Sequence, residues 1–159
     1  MTVYRLDDRG VVRIERRFDT DAADLWSALT DPERLARWIV EVKGELRLDG
    51  EFRAKFTSGW EGPGRVDVCE PPSRLLVTMA PAEADSTVIE ATVSADGDGC
   101  RLLVEERGLP LTEAWAHGAG WQAHIEDLAE HLEGRPAGDW HARWKELSPS
   151  YRERYGILR

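Results

Sequence analysis

Val11-Val-Arg-Ile-Glu-Arg-Arg-Phe18-Asp-Thr-Asp21-Ala-Ala-Asp-Leu25-Trp26-Ser-Ala-Leu29-Thr-Asp31-Pro32-Glu33-Arg-Leu35-Ala-Arg-Trp38-Ile39 passes from a strand pattern to two helix patterns with no long linker between them. The stretch Val11 to Phe18 mixes β-branched and charged side chains in the manner of a strand with one wet face. Asp19, Thr20 and Asp21 then offer helix N-caps, and Leu25, Trp26 and Leu29 recur at helical spacing. Asp31-Pro32-Glu33 starts a second helix with Asp as cap, Pro in the first turn and an early acid, and Leu35, Trp38 and Ile39 give it an apolar side. Two short helices in tandem behind a strand form an unusual unit.

C-terminal to this unit, from Glu45 to Glu106, the period changes to two. Leu46/Leu48, Phe52/Ala54/Phe56, Val66/Val68, Leu75/Val77/Met79, Ile89/Ala91/Val93 and Leu102/Val104 alternate with mostly polar neighbours, which predicts six strands. Turn signals separate them: Asp49-Gly50, Ser58-Gly59, Pro71-Pro72, Pro81 to Ser86 and Asp96-Gly-Asp-Gly99. Such short connections favour antiparallel pairing, and the strand at Val11 to Phe18 makes seven. After Gly108-Leu-Pro-Leu111, Thr112 can cap a helix that Gly134 and Pro136 stop near Glu133. Ala114, Gly118, Trp121, Ile125, Leu128 and Leu132 fall in one stripe of that helix, which must press against the inward faces of the strands. The expected fold is therefore α+β: a seven-stranded curved antiparallel sheet wrapped around a long C-terminal helix.

This order of elements carries a resemblance. Phe18 before the first helix, Trp26-x-x-Leu29-Thr-Asp-Pro-Glu33, Trp38, Gly64-x-Val66 leading into Glu70-Pro71, and Gly120-Trp121 in the last helix resemble the START-like helix-grip superfamily (SRPBCC, birch-pollen-allergen-like). Within it, the chain is most similar to the activator-of-heat-shock-ATPase homologue group. These motifs belong to the scaffold and specify no reaction. The resemblance implies a hydrophobic tunnel between sheet and last helix, used across the superfamily for lipids, polyketides, hormones or aromatic compounds.

A chain of 159 residues suits one domain, here residues 1–133, followed by a helical tail at residues 134–159. No stretch approaches the ~20 apolar residues of a membrane span and Met1 to Asp8 lacks a signal peptide's apolar core, so a cytoplasmic protein without a membrane partner is expected. Cys69 and Cys100 belong to no CxxC motif or Cys/His cluster and read as free thiols. The formal charge of −9 repels polyanions, so no nucleic-acid partner is expected. The charge is uneven, about +3 on the tail and −12 on the body. Such a tail, bearing the i,i+4 pairs Trp140/Trp144 and Tyr151/Tyr155 on two short helices split at Ser148-Pro149, is suited to docking on its own domain or on a second copy in a homodimer.

Seven tryptophans stand out in this composition. Trp60, Trp115 and Trp121 fall where strand and helix faces approach the groove, and Trp38 at its expected mouth; large rings with a polar edge suit an aromatic guest. The candidate ligand-binding set is Trp38, Phe52, Phe56, Trp60, Val66, Met79, Ile89, Trp115, Gly118, Trp121, Gln122 and Ile125, with Gly118 and Gly120 leaving room beside the rings. Glu106 shares strand parity with Leu102 and Val104, so it points inward, and Glu106-Arg107-Gly108-Leu109 is similar to a recurrent family stretch. A carboxylate at a pocket rim can accept a ligand proton, which makes Glu106 the candidate catalytic residue; pairing with an arginine or capping the last helix is its structural alternative. His117, His124 and His131 recur every seven residues, a spacing of ~10.5 Å that no single metal spans, so no metal is expected and a solvated flank is, with His117 meeting Glu113 and His131 meeting Asp127.

No GxSxG, P-loop, GxGxxG or HExxH motif is present, and no cofactor is expected. Binding of a small hydrophobic or aromatic molecule without chemistry is the first reading. A cyclase, aromatase or dehydratase using the same cavity is the second, because such helix-grip enzymes leave no linear motif. The group's name implies a third, co-chaperone of a heat-shock ATPase. In eukaryotic relatives that role depends on an additional N-terminal domain, and with ten residues ahead of the first expected strand it ranks last.

Overall fold

Alternation of apolar and polar side chains places eight segments in a single sheet, in a computed structural model that describes residues 1–159. In chain order the elements are β1 (Thr2–Leu6), β2 (Arg9–Phe18), α1 (Ala22–Thr30), α2 (Pro32–Trp38), β3 (Val40–Gly44), β4 (Glu51–Phe56), β5 (Glu61–Glu70), β6 (Arg74–Met79), β7 (Thr87–Asp96), β8 (Gly99–Leu109), α3 (Ala114–Leu132) and α4 (Trp140–Tyr155). The order across the sheet is β1-β2-β8-β7-β6-β5-β4-β3, antiparallel throughout. Strands β3 to β8 form a meander, and β2 returns beside β8 with Ile14 opposite Val104 and Phe18 opposite Cys100. Register shifts at Gly10/Val11 and between Val66 and Val68 add the local twist that bends a sheet.

The helix-grip architecture is the expected one, with three differences in the sheet and the tail. First, the sheet has eight strands, not seven, because Thr2–Leu6 adds a hairpin strand to β2, with Val3 opposite Val12 and 4% exposed. Second, the strand expected at Leu46/Leu48 is a loop; α2 hands directly into β3, Gly44 pairs with Phe52, and Leu48 is left 55% exposed. Third, residues 140–155 form one helix rather than two, with Pro149 inside it. The carbonyl that Pro149 cannot bond is that of exposed Lys145, where water can serve it, and the Ser148 hydroxyl turns back to the Trp144 carbonyl at 2.6 Å rather than capping a new helix.

The tandem helices follow their local signals. Asp21 caps α1 by accepting from the Asp24 amide at 2.8 Å, and Asp31 ends α1 and caps α2 by accepting from the Glu33 amide at 3.0 Å. Leu25, Ala28, Leu29 and Leu35 enter a continuous core with Val66, Leu102, Val104, Ile125 and Leu128. Each such leucine, isoleucine or valine side chain contributes roughly 1.5 to 3 kcal/mol on burial. The N-terminus of α3 differs from expectation: Glu113 precedes it without a side-chain cap, and Thr112 instead uses its carbonyl to accept from Trp115 Nε1 at 3.1 Å. No helix is long and apolar enough to cross a membrane.

Candidate functional site

Between the concave face of the sheet and the two C-terminal helices lies a cavity of about 510 Å³. Phe56 comes to it from the end of β4, Trp60 from the β4–β5 turn, Met79 from β6, Thr87 and Ile89 from β7, Glu106 and Leu109 from β8, His117, Gly120, Trp121 and His124 from α3, and Trp140 and Trp144 from α4. Alternation explains the strand contributions: Ile89 and Glu106 are register partners in β7 and β8, so they project to the same face. Trp60 is 41% exposed and stands edge-on to Phe56, ring centroids 5.8 Å apart, at the open side.

Glu106 is the buried carboxylate of this cavity, 6% exposed. Its Oε1 contacts His117 Nδ1 at 2.9 Å and accepts from Trp121 Nε1 at 3.3 Å, while Oε2 meets only the Thr87 hydroxyl at 3.4 Å. It neither pairs with an arginine nor caps α3; those two structural alternatives give way to a histidine partner. Burial pulls the His117 pKa down, but the hydrogen bond and charge of Glu106, with the charge of Glu113, outweigh it and leave the pKa raised. Such a pair can exchange a proton with a bound molecule.

His124 has the opposite character. It is 6% exposed, stacked on Trp140 at 5.2 Å and edge-on to Trp121 at 5.7 Å, and its Nδ1 is buried without a hydrogen bond. Burial lowers its pKa to about 3, so the ring is neutral at ordinary pH. The solvated flank expected for the three histidines is therefore corrected. α4 covers the side of α3 that carries His124, His117 turns to Glu106 rather than Glu113, and His131 accepts from Arg34 Nε at 3.0 Å rather than meeting Asp127.

Of the residues singled out from the sequence, Phe56, Trp60, Met79, Ile89, Glu106 and Trp121 come together on the cavity. The others lie elsewhere. Trp38 is 3% exposed, not at a mouth, and donates from Nε1 to the Ala28 carbonyl at 3.0 Å, stapling α2 to α1. Phe52 packs its ring on Gly64, and Val66 and Ile125 are in the core. Trp115 stacks on the outer side of Trp144 at 6.2 Å, under the Arg152 guanidinium. Gln122 accepts from the Tyr151 hydroxyl at 2.6 Å. Gly118 makes room for protein, since a Cβ there would approach Val3 to 2.8 Å and Tyr151 to 3.1 Å; Gly120 does line the cavity, but a Cβ there would approach Trp140 to 3.1 Å.

Three of the walls missed in the sequence, Trp140, Trp144 and His124, share one cause. Trp140 Nε1 donates to the Gly120 carbonyl at 3.2 Å and Trp144 Nε1 to the Ala116 carbonyl at 3.0 Å, so two tail residues one turn apart hold two carbonyls one turn apart on α3. The i,i+4 tryptophan pair was the visible signal, and its partner surface on α3 was the hidden one.

The family model for Activator of Hsp90 ATPase homolog 1-like protein matches residues 19–133. The chain belongs to this family. Among solved structures, CalU16 from Micromonospora echinospora is 28% identical in its crystal structure, with a TM-score of 0.77, covering 91% of this chain and 88% of that one. Its solution structure gives 26% identity and a TM-score of 0.78, over 92% and 85% of the two chains. DynU16, a protein in the dynemicin biosynthetic locus, is 27% identical with a TM-score of 0.74, over 84% of this chain and 51% of that one. No curated protein matches the chain. The segment matched by the Activator of Hsp90 ATPase homolog 1-like model contains most of the cavity but stops short of α4 and its two tryptophans.

Proposed function

We propose that this protein binds a small, largely apolar molecule with an aromatic or polycyclic body in the cavity between the sheet and helices α3 and α4. The observation that carries this reading is the cavity itself: about 510 Å³, within the roughly 300 to 1,000 Å³ of small-molecule sites, walled by Phe56, Trp60, Trp121, Trp140 and Trp144 around one buried carboxylate. Apolar rings supply affinity and Glu106 supplies orientation. The family membership supports a ligand-binding or cyclase-like role on this scaffold. Native mass spectrometry before and after denaturation tests the reading. A small molecule lost on denaturation is the expected result; an unliganded protein that also ignores a broad panel of hydrophobic compounds would contradict it.

A second reading, a cyclase- or dehydratase-type enzyme, is favoured by the 2.9 Å contact between Glu106 and His117 inside the cavity, an acid–base pair beside a bound guest, and by the likeness to a protein of a biosynthetic locus. If it holds, Glu106→Gln abolishes turnover while the affinity for an uncharged ligand stays within about tenfold, a window of ~1.4 kcal/mol. Undiminished turnover in that variant would remove Glu106 from the role.

A further inference from the structure

The charged residues that line the cavity, histidines aside, are all acidic: Glu83 and Asp85 between β6 and β7, Glu106 on β8, and Glu113 just before α3. No lysine or arginine lines it, although the chain carries 21 of them, so composition alone does not account for the bias. Asp85 is offset at the rim by Arg9 at 3.2 Å, whereas Glu83 and Glu113 are exposed and enter no ion pair. Deep in the cavity the two oxygens of Glu106 are unequally occupied. Oε1 holds His117 and Trp121, and any proton on His117 Nδ1 is directed there; Oε2 has only the 3.4 Å contact with Thr87, itself a lining residue. A carboxylate oxygen accepts more than one hydrogen bond, so Oε2 retains acceptor capacity facing a space walled by indole rings. His124 brings no opposing charge, since burial keeps its ring neutral.

A carboxylate oxygen with spare lone pairs, surrounded by aromatic faces and by further carboxylates at the entrance, is the chemical complement of an ammonium group. The N–H donors meet the carboxylate, and the positive charge lies against the negative faces of the rings. An anionic guest would meet no lysine or arginine, a His117 whose Nδ1 is already engaged by Glu106, and three acidic side chains at the entrance. We propose that the cavity selects apolar molecules that carry a protonated amine, with the ammonium on Glu106 Oε2 and the hydrocarbon body against Phe56, Trp60, Trp121 and Trp140. This rests on the cavity being a ligand site, as argued above, and adds the class of ligand.

Calorimetric titration with three probes of one shape, naphthylethylamine, naphthylethanol and naphthylacetate, separates the two claims. The amine binds at least about tenfold more tightly than the alcohol, and the acetate most weakly; the amine-to-alcohol ratio falls towards one in Glu106→Gln. The double variant Glu83→Gln/Glu113→Gln, at exposed positions, shrinks the same ratio and keeps the test open should Glu106→Gln fail to fold. Equal binding of amine and alcohol, tightest binding of the acetate, or an amine preference unchanged in both variants overturns the amine proposal while leaving the ligand site standing. Failure of all three probes to bind counts against the ligand site, and the amine proposal falls with it.

Discussion

His117 and His124, seven residues apart on α3, are shifted in opposite directions although burial acts on both in the same sense. In His124 nothing offsets the burial, so the folded protein refuses a proton until about pH 3 that the unfolded chain accepts near 6.5. Stability is therefore lost as pH falls through that window, at ~1.4 kcal/mol per unit of difference. In His117 the Glu106 partner reverses the shift, so its contribution is complete below about 6.5 and is lost as pH rises through the raised value. Ring NMR titration checks both signs. His117 should titrate above 6.5, and His124 should remain neutral until the protein unfolds in acid; a His124 midpoint near 6.5 would show the ring to be wet. His124→Phe, judged against the parent, should flatten part of the acid limb of the stability profile. None of this was legible from the spacing of the histidines, because the ring that encloses His124 belongs to Trp140, in a helix whose seat on α3 no local pattern announces.

At the scale of elements, legibility followed locality. Asp31 as the cap of α2 could be read directly, since cap and capped amide lie two residues apart. The misplaced strand ahead of β4 has the same cause in reverse. The alternation at Leu46 and Leu48 is as good as that of a strand, yet the chain at Val40–Gly44 pairs with β4 first and leaves those leucines in the connecting loop. The tail was legible as an aromatic stripe but not as a single helix, because Pro149 reads locally as a start and is tolerated only at an exposed carbonyl. Helix α4 supplies two cavity walls, so the energetic weight of Trp140 should be large: 7% exposed, bonded to Gly120 and stacked on His124. Trp140→Ala should cost roughly 3 to 5 kcal/mol in chemical denaturation, whereas Trp60→Ala, at a 41% exposed position, should cost under about 1 kcal/mol while still weakening ligand binding. Equal losses in the two variants would mean that α4 is loosely held.

The whole molecule is an acidic body whose basic C-terminal helix crosses the last long helix and closes one side of a chamber. Arg143 of α4 reaches Glu126 of α3 at 2.7 and 2.9 Å, but these side chains are partly exposed, so ring burial dominates the attachment and added salt should change the melting temperature little. A chamber walled by four tryptophans in a protein with seven offers a direct readout, since each indole N–H gives its own NMR signal. Titration with a naphthalene probe, followed by two-dimensional nitrogen–proton correlation, tests whether the guest enters here. The indole signals of Trp60, Trp121, Trp140 and Trp144 should shift together while those of Trp26 and Trp38 stay fixed. Shifts spread evenly over all seven, or none at saturating probe, would contradict the cavity as the binding site.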